Sequence, residues 1–599
     1  MMTMSVLYPC CLSGQQIRIL ELHHGSGSDA IKTRLIPANL PIDLDFEALS
    51  YVWGDATIKT PISCNDVEIG ITQNLYDALL HLRLPHMPRL IWVDAICINQ
   101  HDVEERNQQV SRMHQIFSQA TMVVVWFGRD GGENLHLAVA AINSIYQRYV
   151  EHAAIQNSSL AKMSFSQLES ITIAESIPLD DAFDSETWIS LSRFFARPWF
   201  ERVWCVQEII LAKQGMILTD TCQVPWERVG TSAAILLAQI SRPTDYYSRP
   251  RQRDKAIICV RAAQLHSHTR RTTLLGNLGL FRDRKAMDPR DLVYGLLGLQ
   301  DDRSGGCRLE PDYTKTTSEV YVDVVRNAIY DGDGLEFLSS VQHEDSFRQL
   351  ADCPSWAPYW PRQRCVSFLD RGSWYADGKQ AIGVSFPSQK EMLAEGVVYE
   401  KICFVGDIHP VEFDAYGSLH PFPDLILDLW RNYVSLKPHT ETFQHRLEKL
   451  GRTLTAGYTV GGDAVYQLDG HQRSNFYADY LAFIQLIHEY TGNKIQTLDS
   501  PCLETFEGVW ERYARGVRYA CRGRRLFRTT DGSLGLGPAC TSVDDVVSVL
   551  QGGKVPYILR PDGDSYYFLG ECYVDTIMRG ELFRRDILPH FKPTVLSLK

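Results

Sequence analysis

Between residues 46 and 128, apolar positions fall alternately into short continuous runs and helical stripes. Phe46–Trp53 (FEALSYVW) predicts a strand. Leu75, Ala78, Leu79 and Leu82 recur at i, i+3, i+4 and i+7, which predicts a helix with one apolar face. Arg89–Ala95 (RLIWVDA) is almost all apolar, as a strand covered on both faces should be. Asp102–Ala120 predicts a long helix whose buried stripe runs through Val103, Val110, Met113, Phe117 and Ala120. Thr121–Gly128 (TMVVVWFG) predicts a second buried strand. Strands alternating with helices predict a parallel sheet joined by right-handed crossovers.

Other patterns flank this stretch. Residues 15–72 read as strands and turns, opening on Ile17, Ile19 and Leu20 and broken at Gly25-Ser26-Gly27-Ser28. Pro61–Thr72 predicts a hairpin turning at Asn65-Asp66. Residues 130–187 are helical but poorly patterned, and Asn157–Asp184 reads as a variable insertion. Trp188–Lys213 is strongly helical, and helices dominate to about residue 335. From about residue 380, short strands appear at Met392–Val405, Val546–Leu550, Tyr557–Arg560 and Tyr566–Gly570, with residues 415–520 expected to be helical. No internal repeat is visible.

Composition narrows the function classes. Hydrophobic residues make up 45% and charged residues 22% of 599, which excludes a mainly disordered chain. A net charge of −12 argues against general nucleic-acid binding, which needs surplus Lys and Arg. The longest apolar runs, such as Val229–Ser241, fall short of the roughly 20 residues of a membrane span. The first 14 residues lack a basic segment and contain Pro9, so no secretory signal is expected. Fifteen scattered cysteines read as reduced thiols in an intracellular, cytoplasmic protein. The Cys10-Cys11 and His23-His24 pairs lack metal-finger spacing.

Several residues carry a chemical signal. Asp94 ends an apolar strand, where ligand sites gather in open α/β sheets; Asp94 and Asn99 also suit helix and loop capping. Arg106 falls inside the expected apolar stripe, so it needs a partner, with Asp94 and Glu208 as candidates, or an anionic ligand. Trp53, beside Gly54, offers either a stacking face or a core indole. Trp204 and Glu208 are four apart, and a carboxylate beside an indole has a raised pKa; the alternative is a rim Glu on a core helix. Cys97 with His101 is a weaker thiol–base candidate, lacking an orienting third residue. No GxxxxGK[ST], HExxH or GxSxG motif is present.

Three blocks then carry a resemblance: FEALSYVWGD (Phe46–Asp55), RLIWVDAICINQHDVEERNQQVSRMHQIFSQATMVVVWFG (Arg89–Gly128) and RPWFERVWCVQEIILA (Arg197–Ala212). They resemble, in order, the blocks of the fungal heterokaryon-incompatibility (HET) domain. Downstream segments, including DPRDLVYGLLGL (Asp288–Leu299), CPSWAPYW (Cys353–Trp360) and RRLFRTTDGSLGLGP (Arg524–Pro538), resemble stretches that commonly follow it. The run WCVQEI (Trp204–Ile209) also resembles the W-C-x-x-E-L pattern of TIR domains, and Ser50-Tyr51 their first box.

The resemblance implies an α/β, TIR/flavodoxin-like parallel sheet with flanking helices, a helical region and a β-rich C-terminal unit. It divides the chain into N-terminal strands packing on the domain (1–45), the HET domain (46–212, with an insertion at about 130–187), a helical region (213–370) and a mixed, β-rich region (371–599). It implies non-self recognition and programmed cell death through protein partners or self-association, with no nucleic acid. By analogy with TIR enzymes, Glu208 would be the catalytic carboxylate of NAD⁺ hydrolysis. Trp53, Asp94, Asn99, Arg106 and Trp204 would line the substrate, Arg106 on the pyrophosphate. NAD⁺ would be a substrate, and no cofactor or metal is expected. The alternatives are a non-enzymatic signalling module and a diverged accessory protein of a metabolic pathway.

Overall fold

The computed structural model describes residues 7–9, 12–55, 57–155, 183–240, 250–268, 272–300, 309–347, 352–362, 366–370, 372–408, 442–491, 508–584 and 590–599. Most of the expected insertion, the Cys10-Cys11 pair and parts of the stretch expected to be helical at 415–520 lie outside these residues. The chain divides into two compact units, residues 1–317 and 318–599.

The first unit is built on a nine-stranded mixed sheet. Its strands are β1 (Gln16–Leu22), β2 (Lys32–Asn39), β3 (Glu47–Tyr51), β4 (Lys59–Cys64), β5 (Val67–Thr72), β6 (Arg89–Trp92), β7 (Met122–Trp126), β8 (Gly215–Leu218) and β9 (Gln223–Pro225), in the order β5-β4-β2-β1-β6-β3-β7-β8-β9. At its centre, β6, β3, β7 and β8 run parallel. Ranked by place in the chain, these four stand 2-1-3-4, so the order reverses at β3. The sequence explains the centre: Val123, Val124, Val125 and Trp126 are all buried, and β-branched residues suit a sheet covered on both faces. The β4–β5 hairpin turns on Asn65 (φ 51°) and Asp66 (φ 60°), the left-handed pair that a two-residue turn demands.

Helix α1 (Gln73–Leu82) buries Leu75, Ala78, Leu79 and Leu82 as the spacing predicts. Helix α2 (Val103–Gln119) starts at Asp102, whose carboxylate accepts from the Glu104 and Glu105 amides at 3.0 and 3.1 Å. Its face differs from expectation. Val103 is 41% exposed, and the buried residues are Glu105, Gln109, Met113, Ile116 and Phe117. Two polar side chains turn inward because each finds a partner on β1. Glu105 pairs with Arg18 at 2.6 Å, and Gln109 donates to the Gln16 carbonyl at 2.9 Å.

The sheet runs past both expected limits of the α/β domain. β1 pairs directly with β6 and β2 with β1, so the N-terminal strands join the sheet itself. The sheet also continues past residue 212, since β8 extends β7 and turns back as β9. Residues 213–317 belong to this unit, with Arg261 held between Glu201 and Asp283.

In the second unit a helix, α3 (Thr317–Tyr330), precedes a β-rich body. The long strand β10 (Met392–Ile408) is its keystone. Its first half pairs on one side with β17 (Thr594–Leu598) and on the other with β13 (Val546–Leu550). From β13 the pairing continues through β14 (Tyr557–Asp562) and β15 (Ser565–Glu571), which meets β17 at a single parallel pair. The five strands therefore close on themselves. The second half of β10 carries β11 (Arg524–Thr529), β12 (Leu534–Pro538) and β16 (Tyr573–Val574). Val397, Val547, Val549, Ile558 and Leu569 fill the core. Helices α4 (Phe443–Leu454), α5 (Gly470–Thr491) and α6 (Trp510–Cys521) lie between β10 and β11 in sequence.

Candidate functional site

The reversal of strand order places the carboxyl ends of β3 and β7 side by side, where open α/β sheets gather ligands. Asn74, on the first turn of α1, ties the two ends together. Its amide donates to the Val52 carbonyl at 2.6 Å and its oxygen accepts from the Trp126 indole at 2.9 Å. Gly54 (φ 76°) and Gly128 (φ 88°) let both strands turn away close to that side chain.

Glu208 sits behind the β3 end. It lies on a short helix, Trp204–Ile210, and is only 3% exposed. Its carboxylate accepts from the Ser50 hydroxyl, and Ser50 in turn accepts from the Trp199 indole N–H at 2.7 Å. Burial pushes the Glu208 carboxyl up to about 7. The Arg202 guanidinium and the Ser50 hydrogen bond pull the other way, and Asp94 adds to the rise. Arg202 also donates to the Tyr51 carbonyl, which fixes it at the strand end. Asp94, at the end of β6, has its own pKa raised by burial; it accepts from the Trp53 indole at 2.8 Å and from the Tyr51 hydroxyl. Both carboxyls thus feel the same guanidinium, and the Asp94 charge makes Glu208 harder to ionise.

A cleft of about 220 Å³ opens beside this network, lined among others by Tyr51, Trp53, Lys59, Ala95, Ile98 and His101. Trp53 is 36% exposed and offers a ring face. Glu208 does not line the cleft; Tyr51 and Asp94 stand between them in the chain of contacts.

Of the residues singled out in sequence, Glu208, Asp94 and Trp53 come together here. Arg106 does not face Glu208. The rotation of α2 that sends Glu105 inward carries Arg106 to Tyr313, where its guanidinium lies 4.1 Å from the ring centroid. Trp204 goes to the same cluster, donating to Asp291 at 3.1 Å, while the Tyr313 hydroxyl donates to that carboxylate at 2.6 Å. The indole in the Glu208 network is therefore Trp199. Asn99 serves its own loop, its amide donating to Glu105 at 2.7 Å and its side chain accepting from the His101 amide at 3.3 Å. Cys97 is buried, accepts from the Val93 amide at 3.4 Å and has its thiol pushed up to about 12 by burial, so it offers no thiolate.

Residues 46–208 match the family described as heterokaryon incompatibility protein (HET), and residues 487–591 match the Het-6 beta-barrel domain. Residues 46–208, within the first unit, are thus similar to a HET domain. Both the reversal point and the Glu208 network fall inside its matched span. The chain is also similar to Heterokaryon incompatibility protein 6, OR allele, of Neurospora crassa: 28% identical over 650 aligned positions, taking in 94% of each chain. No solved structure matches.

Arg202, Ser50, Trp199 and Asn74 are the site residues that spacing missed. Arg202 lies between a 3-10 turn (Pro198–Glu201) and the Glu208 helix, so no helical periodicity marks it. Among the described residues, no cluster of three or more His, Cys, Asp or Glu could hold a metal, and no helix is long and apolar enough to cross a membrane.

Proposed function

We propose that this chain acts in fungal heterokaryon incompatibility, and that its HET domain is an NAD⁺-hydrolysing effector whose carboxylate, Glu208, is held closed in this conformation. The role in incompatibility is supported by the domain match and by the relative that the chain follows along 94% of its length. The enzymatic part rests on one observation: a carboxyl with a pKa of about 7 at the strand-order reversal, next to a cleft with an exposed indole. The 2-1-3-4 order of the parallel strands is shared with flavodoxin-like sheets and favours a TIR-like reading.

The chemistry asks little of the protein. Cleavage breaks the bond between ribose C1′ and the nicotinamide nitrogen, and the electron pair leaves with nicotinamide, which needs no proton. A carboxylate bonded to a ribose hydroxyl stabilises the oxocarbenium-like transition state. Water then adds at C1′ and gives up one proton. Glu208 would exchange Ser50 and Arg202 for the ribose, a rearrangement that self-association or a partner would drive. Trp53 would stack on a ring.

The second reading, a non-enzymatic signalling module, is favoured by the burial of Glu208 and its hydrogen bond from Ser50. Nicotinamide release from NAD⁺ by the purified full chain separates the two. Turnover that is lost in Glu208→Ala and retained in Cys97→Ser supports hydrolysis. No turnover, even at concentrations that force association, establishes the module. Growth arrest of hyphae expressing the chain tests the incompatibility role independently.

A further inference from the structure

The second unit holds a cavity of about 270 Å³, remote in sequence from the HET domain. Three elements and a loop converge on it. Helix α4 supplies Arg452, helix α5 supplies Arg473, and the segment after β16 supplies Arg579. Trp374 forms an aromatic wall, its ring centroid 5.4 Å from Tyr466 and 5.8 Å from Tyr573.

This wall is held tightly. After α4 the chain turns through Ala456 (φ 50°) and Gly457 (φ 74°), two successive left-handed residues. A Cβ at Gly457 would come within 2.8 Å of the Trp374 ring and of the Tyr573 hydroxyl. The backbone is bent into contact with the rings, and Gly457, Trp374 and Tyr573 all line the cavity.

The three guanidiniums are not equivalent. Arg452 is locked, bonded to both Asp575 oxygens at 3.0 and 2.9 Å and to the Tyr477 hydroxyl at 2.6 Å. Arg579 reaches Glu581 at 3.3 Å and lies 5.2 Å from the Tyr466 ring centroid. Arg473 donates to two backbone carbonyls, those of Tyr466 and Leu468, and pairs with no carboxylate among the described residues. It is exposed, with donors to spare. The Trp374 indole N–H is the second unmet group: the residue is 6% exposed and its nitrogen has no hydrogen-bond partner.

We propose that this cavity binds a small organic anion that carries a flat ring, of the size of a nucleoside monophosphate. The ring packs against the Trp374–Tyr466 wall, the anionic group takes the spare donors of Arg473, and Arg579 closes over it. Arg452 and Asp575 hold the floor.

Calorimetric titration of the full chain with adenosine monophosphate, cytidine monophosphate, 4-hydroxybenzoate and inorganic phosphate tests this. Saturable binding of at least one ring-bearing anion is expected, with inorganic phosphate much weaker. Arg473→Gln, on an exposed helix face, should weaken it about tenfold, the loss of one charge-assisted contact. Gln472→Ala, one residue away but outside the cavity, should leave it unchanged. The proposal is overturned if no ring-bearing anion binds at millimolar concentration, if phosphate binds as well as the nucleotides, or if Arg473→Gln matches the wild type. Circular dichroism of each variant keeps misfolding apart from lost affinity.

Discussion

Replacing Glu208 by Gln should stabilise the first unit at alkaline pH. A carboxyl whose folded pKa is about 7, against an ordinary value of 4.5, is protonated more readily in the folded chain than in the unfolded one. Its contribution is therefore fully present below about pH 4.5 and is lost as pH rises through 7. At 1.36 kcal/mol per unit, ionising Glu208 costs the fold about 3 kcal/mol by pH 8. Gln keeps the shape and the oxygen that accepts from Ser50 but cannot ionise. Urea unfolding of the full chain, followed by a probe in the first unit, should show the variant level with wild type near pH 4. It should become about 3 kcal/mol more stable by about pH 8. Asp94→Asn in the same background as wild-type Glu208 should move the pH dependence downward, because Asp94 holds the Glu208 pKa up. An offset independent of pH, or a variant that weakens as pH rises, would show that Glu208 is ionised and satisfied where it stands.

Further outcomes follow from the other contacts. Arg18→Ala strands the buried Glu105 carboxylate and should cost the first unit about 3–5 kcal/mol by denaturant unfolding. Gly396→Val drives a side chain into the Val549 carbonyl, 2.6 Å from the first added carbon, and should cost the second unit about 1–3 kcal/mol with faster amide exchange along β13. A maleimide at neutral pH should label exposed Cys403 at once and Cys97 only after unfolding, read by mass spectrometry.

The central sheet was legible because its strands and helices each carry their own pattern: Val123–Trp126 is apolar throughout, and Leu75 to Leu82 keep helical spacing. The face of α2 was not, because Glu105 and Gln109 are buried by partners 87 and 93 residues earlier, and no local period encodes that. The same holds for the site. Glu208 stood out through its aromatic surroundings, yet the cation beside it is Arg202, on irregular backbone, while Arg106 belongs to Tyr313. β8 and β9 are four and three residues long, too short to register against the helices around them. The short strands after residue 380 were visible singly. Their closure was not, since β10 lies some 140 residues before β13.

That closure decides where the second unit can be cut. The segment matched as a Het-6 beta-barrel, residues 487–591, contains β13, β14 and β15 but neither β10 nor β17. A fragment with those limits would present two bare edges, one on β13 and one on β15, each lined with unmet amides and carbonyls and flanked by valines and tyrosines. Such a piece would recruit copies of itself and come out of solution. Beginning upstream of Met392 and running to Lys599 supplies both missing staves.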